Sequence, residues 1–257
     1  MESIRMPVVF VGHGSPMNAI EDNEFGRTWE ALGNSLPRPK AIVCISAHWE
    51  TRGTWATAMT APKTIHDFYG FPRSLYEVQY PAPGAPALAS RLGEIIRLAP
   101  VELDQAWGLD HGAWSVLRRM YPAAELPVIQ LSLDRTHDVQ HAYDLGVELR
   151  ALRDEGVLIL GSGNLVHNLR LMQWEGAPFD WAEEYDRNVK NWIEQGDHAA
   201  VIHYERHGRA AALAVNSAEH YLPLLYVLGA SDGTEPLRFF NEEIALGSVS
   251  MRGVVIG

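Results

Sequence analysis

Cysteine is almost missing from this chain. Cys44 is the only one in 257 residues, so neither an internal disulfide nor a thiolate metal cluster can form. Its apolar neighbours mark it as an inert core thiol. Basic stretches are missing too. The net charge is −11 and no lysine- or arginine-rich run interrupts it, which argues against a nucleic-acid partner. No apolar run approaches the roughly 18–20 residues needed to cross a bilayer, so no membrane partner is expected. The opening MESIRMPVVF has too short an apolar stretch for a secretory signal, and no small-residue cleavage site follows it. A cytoplasmic protein is the expectation. Two catalytic signatures are also absent. No G-x-G-x-x-G opens a helix, and no G-x-S-x-G elbow presents a nucleophile.

What the chain does have is the balance of a globular protein, 47% hydrophobic and 21% charged. Four short apolar runs read as buried strands because they lack the alternation of a half-exposed one: Val8–Val11, Ala41–Ser46, Val128–Leu133 and Val157–Leu160. Helical spacing appears between and after them, over Glu24–Leu32, Pro86–Leu98, Asp138–Arg153, Asp180–Glu194 and Glu219–Leu228. Pro236–Phe240 and Val249–Ile256 are candidate antiparallel strands that close the sheet. Strands alternating with helices imply an α/β fold with a largely parallel central sheet. No linker or repeat divides residues 1–257, so one domain is expected. The stretch from Ala61 to Gly84, APKTIHDFYGFPRSLYEVQYPAPG, is rich in proline, glycine and aromatics. A loop of that length in a compact domain is usually functional or disordered, and its aromatics argue for an ordered flap.

The chemistry lies in the 11 histidines. VVFVGHGSP runs a strand into His13, and AIVCISAHWE runs another into His48. Ligands of open α/β sheets bind at the carboxyl ends of the strands. Two histidines delivered to one edge therefore point to a metal centre. VLILGSGNLVHNL brings His167 to the same edge, and His111 in WGLDHGAW and His220 in AEHYLPLLYVLG are further candidates. His66 sits in the flap, as gate residue or loop filler. The other five histidines lie in polar or helical contexts and read as surface residues. Three protein ligands with open positions mean catalysis. Spacing alone leaves zinc-water hydrolysis and non-haem iron chemistry both open.

Seven stretches in order, GHGSPM, SAHWETRG, TIHDFYGFP, YPAPG, DHGAW, GSGNLVHNL and EHYLPLLYVLGA, resemble the 4,5-DOPA extradiol dioxygenase family. That family belongs to the class III ring-cleaving dioxygenases related to protocatechuate 4,5-dioxygenase. The likeness runs from the N-terminus to about Gly229. It implies a single three-layer α/β domain in which helices flank a central, mostly parallel mixed sheet. The implied activity is extradiol cleavage of a small aromatic diol such as L-DOPA with O2. The implied cofactor is one mononuclear divalent metal, Fe(II) for turnover or Zn(II) as bound. The resemblance places metal ligands on His13, His48 and His220. It makes His167 a further metal contact or the acid/base over the substrate, and His111 a residue behind the ligands or in contact with the substrate, second to His167 as acid/base. The wider class uses two histidines and a glutamate, whereas here Glu219 and His220 are adjacent. Neighbours on a helix point about 100° apart, so His220 is chosen as the ligand.

Three competing readings carry less. A tetrapyrrole chelatase shares only the first motif, with Pro16 where its arginine belongs. A Memo-type recognition module would keep the histidines without turnover. A zinc hydrolase would need a general-base carboxylate, and Glu219 or Asp110 is the obvious offer.

Overall fold

The computed structural model describes residues 5–257. Its main sheet has six strands: β1 (Val8–Gly12), β2 (Ala41–Ser46), β3 (Val128–Gln130), β4 (Val157–Gly163), β5 (Leu237–Phe240) and β6 (Gly253–Ile256). They lie in the order β3-β2-β4-β1-β6-β5. The first four are mutually parallel, and β6 and β5 add on antiparallel. Strands β1, β2, β3, β4 and β6 are buried along their whole lengths, which explains their unbroken apolar sequences.

Alternate residues feed two separate cores. Val8, Phe10, Val43, Ile45 and Ile159 face one side, with helices α4 (Val139–Leu149), α5 (Asp180–Glu194) and α6 (Leu222–Ala230). Val9, Val11, Ile42, Cys44 and Leu160 face the other, against α1 (Glu24–Ser35) and α3 (His111–Met120). A further helix, α2 (Pro86–Ile95), packs its Ala89 and Leu92 on the first side. The result is three layers, helices on both faces of a mixed sheet. Backbone approach fixes the α4–α6 contact. A methyl on Gly146 would meet the Tyr226 carbonyl at 2.3 Å, and one on Gly229 the Tyr143 carbonyl at 2.1 Å.

Several element boundaries differ from the sequence reading. The helix expected over Asp138–Arg153 is capped by the Asp138 side chain and breaks after Leu149 into a short Ala151–Asp154 turn. Val128–Leu133 divides, because Leu133–Asp134 leaves the main sheet to pair with Glu50–Thr51. Val249–Ile256 divides likewise, with Val249–Ser250 pairing with Ile244–Ala245. The last helix starts at Leu222 rather than Glu219, since Pro223 is tolerated only in a helix's first turn. Glu219 and His220 therefore sit in the preceding turn, and the 100° rule for helical neighbours does not govern them.

Candidate metal centre

Strands β1 and β2 are not neighbours; β4 runs between them. Two strand spacings amount to about 10 Å, yet His13 and His48 meet, with their Nε2 atoms 3.1 Å apart. The strand between them makes this possible. In register with Gly12 and Ser46 it presents Gly163 and Ser162, small residues that leave room for two imidazoles to lean over its end. The turn carrying His220 sits directly on that end. Asn164 N–H donates to the His220 carbonyl at 2.8 Å, and a methyl on Gly163 would lie 2.1 Å from the same oxygen.

The three rings are arranged almost evenly. Their centres are 5.0 Å apart for His13 and His48, 5.3 Å for His13 and His220, and 5.0 Å for His48 and His220, with planes tilted by 49°, 50° and 87°. A nitrogen about 2.1 Å from a metal puts its ring centre about 3.2 Å from it, so tetrahedral spacing separates ring centres by about 5.2 Å. The triangle fits one ion with a position left open.

The rear nitrogens of His13 and His220 are held from behind. Ser162 Oγ donates to the Gly112 carbonyl at 2.6 Å, so toward His13 it can only accept, and His13 Nδ1–H donates to it at 3.0 Å. His220 Nδ1–H donates to Glu219 Oε1 at 3.1 Å. His48 turns Nδ1 toward Asp67 Oδ2 at 3.7 Å, a carboxylate that favours the proton on that nitrogen. Each assignment leaves Nε2 as a free lone pair, and those of His13 and His48 meet at the centre. Burial, followed by the neighbouring imidazoles, holds His13 and His48 well below the usual histidine range. Burial also lowers His220, against the opposing pull of Glu219. Burial would raise Glu219, but its bond from His220 and that ring's charge prevail and bring it to about 2. Three neutral imidazoles backed by a carboxylate and a hydroxyl suit a divalent transition metal.

His111 and His167 flank this triangle. The His111 ring packs on His48 with centres 3.9 Å apart, and its Nδ1–H donates to Asp67 Oδ2 at 2.9 Å. The His167 ring stacks on His220 at 3.4 Å and 10°. Proximity alone would group His13, His48 and His111, and separately His167, Glu219 and His220. Ring geometry discriminates better: the 3.9 Å spacing of His111 and His48 falls well short of the tetrahedral value of about 5.2 Å, and ring planes decide for His167. In-plane lone pairs of parallel rings run side by side, so one ion cannot lie in both planes of the His167–His220 stack. The same test rejects a second centre at Asp134, His137 and His141, whose two rings stack at 4.0 Å and 15°.

Sequence reasoning missed Asp67 and Ser162, and it saw Glu219 only as a rival ligand or base. The available signals were an acid beside His66 in the aromatic flap and a serine inside GSGN on the central strand. Asp110 is fully buried, taking bonds from Ser46 and Gln130 and capping α3. Glu219 is committed to His220. Neither is free to serve as a hydrolytic base. Of the histidines read as superficial, His137 is exposed while His141 and His198 are half-buried.

Comparison with known proteins settles the family. The profile described as the catalytic LigB subunit of aromatic ring-opening dioxygenase matches residues 8–252. The chain belongs to that family. Within this LigB family, the 4,5-DOPA dioxygenase extradiol of Escherichia coli (strain K12) is 51% identical over 100% of this chain and 97% of its own length. The protein of the same name from Beta vulgaris is 39% identical, covering 86% of this chain and 85% of itself. The crystal structure of the uncharacterized protein JW3007 from Escherichia coli K12 superposes with a TM-score of 0.87 at 47% identity, covering 98% of this chain and all of that one.

Proposed function

We propose that this LigB-family enzyme opens the ring of L-DOPA or a close catechol by 4,5-extradiol cleavage, as one catalytic domain spanning residues 1–257. His13, His48 and His220 hold one divalent metal, with Fe(II) the ion of turnover and Zn(II) a bound but unproductive substitute. The observation that carries this reading is the even triangle of three rings, two of them with the rear nitrogen hydrogen-bonded. When bound, ferrous iron would supply the Lewis acidity and redox chemistry that let a catecholate react with O2.

The chain's own residues supply proton handling and exclusion of water. His167 is the proposed acid/base rather than a fourth ligand. Its stacked ring cannot share an ion with His220, and among the described residues no side chain bonds to it. Burial, and next the adjacent His220, lower it to about 3, so at neutral pH it is an unprotonated acceptor for a catechol hydroxyl proton. His111, held through Nδ1, keeps Nε2 for the substrate side. The flap is stapled down by Trp114 Nε1–H to the Ile65 carbonyl and Tyr80 O–H to the Tyr121 carbonyl. Phe68 and Phe71 pack from it onto the core and shield the centre from bulk water.

Mass and NMR analysis of the product tests the substrate assignment. A product carrying both atoms of O2, opened beside the diol at the 4,5 bond, fits. Turnover of simple catechols with L-DOPA left untouched would remove the DOPA assignment while leaving ring cleavage intact.

A further inference from the structure

One carboxylate in the flap touches the centre it covers. Asp67 Oδ1 accepts the His111 backbone N–H at 2.9 Å, and Asp67 Oδ2 accepts His111 Nδ1–H at 2.9 Å. The same Oδ2 lies 3.7 Å from His48 Nδ1. Next to it, Phe68 packs edge-on against the His111 ring with centres 5.6 Å apart. Asp67 as a residue is exposed, but its side chain is only 18% exposed, so the carboxylate is its sheltered part. Both carboxylate oxygens are therefore spent on His111.

We propose that Asp67 is a positioning residue that couples the seating of the flap to the orientation of His111. With the flap down, Asp67 fixes the His111 ring and its tautomer and leaves Nε2 toward the substrate. With the flap lifted, the ring loses its acceptor and α3 loses a partner for its first N–H. His111 would thus be set for turnover only when the flap excludes water. This rests on the reading of His111 as substrate-facing, but the coupling itself stands without it.

The test uses the full-length protein as wild type, Asp67→Asn, Asp67→Glu, His111→Ala and the Asp67→Asn/His111→Ala double variant. Hydrogen exchange of flap amides 61–84 is read first, on metal-free protein. Asp67→Asn and His111→Ala should each speed exchange there by roughly tenfold, the loss expected for one charge-assisted hydrogen bond, and the double variant should add little. Thermal melts and circular dichroism confirm that each variant folds. On the iron-loaded enzyme, Asp67→Asn should lower kcat about 10- to 100-fold with a smaller change in KM, and Asp67→Glu should restore part of it. Unchanged flap exchange in both single variants would overturn the coupling. A kcat loss in Asp67→Asn that simply adds to that of His111→Ala would overturn the positioning role. Flap loosening in both, with no effect of His111→Ala on turnover, would keep the coupling and remove His111 from the chemistry.

Discussion

A histidine becomes a metal ligand when its second nitrogen is occupied and its first faces others like it. His13 and His220 meet that condition through Ser162 and Glu219, while His48 lies beside the Asp67 carboxylate without bonding to it. His13→Ala and His48→Ala should each abolish stoichiometric metal binding, read as metal per protein after dialysis, whereas His167→Ala should keep the metal and lose turnover. Full retention in His48→Ala would contradict the strand-end assignment, and loss from His167→Ala would make that residue a ligand. Ser162→Ala removes the partner of His13 and should weaken metal affinity about 10- to 100-fold without unfolding the chain. The same burial predicts a pH response. His13, His48, His167 and His220 sit below 6.5 in the folded state, so as pH falls through 6.5 the unfolded chain binds protons first. Stability of the metal-free protein is complete above that pH and declines below it. Thermal melts between about pH 7.5 and about pH 5 should show the decline, and a flat profile would show that the rings are less buried than described here.

At the scale of elements, glycines mark where backbones meet. Gly146→Ala on α4 would gain up to about 1 kcal/mol of helix propensity. The clash at 2.3 Å is with a backbone carbonyl, which cannot swing away. Overpacking of about 1–3 kcal/mol should prevail, lowering Tm by several degrees while metal content stays at one equivalent. Gly163→Ala should differ in kind, because its methyl would push on the His220 carbonyl at 2.1 Å and displace a ligand. Its expected signature is weaker metal binding, and unchanged metal affinity would separate the His220 turn from the centre. Strand ends were readable from sequence because buried parallel strands are continuous apolar runs that stop where the polar site begins. The turn at Glu219–Tyr221 was not readable. Apolar spacing runs through it, and only the place of Pro223 marks the true helix start.

For the whole molecule, the α/β class with its largely parallel sheet and the delivery of histidines to one sheet edge followed from local pattern, while the three-layer arrangement came from the family resemblance. The order of the strands did not. Nothing local states that β4 lies between the two histidine-bearing strands, or that its small residues let the rings meet above it. The partners Ser162 and Asp67 were hidden for the same reason, being defined by contacts 149 and 44 residues apart in sequence. The resemblance in seven motifs pointed to the family that the LigB profile and the relatives then showed. The most direct test of the central claim is anaerobic reconstitution with Fe(II), then simultaneous oxygen uptake and absorbance on adding L-DOPA. One O2 consumed for each yellow ring-opened product is the expected result. No uptake with L-DOPA or any simpler catechol, with iron verified on His13, His48 and His220, would contradict it.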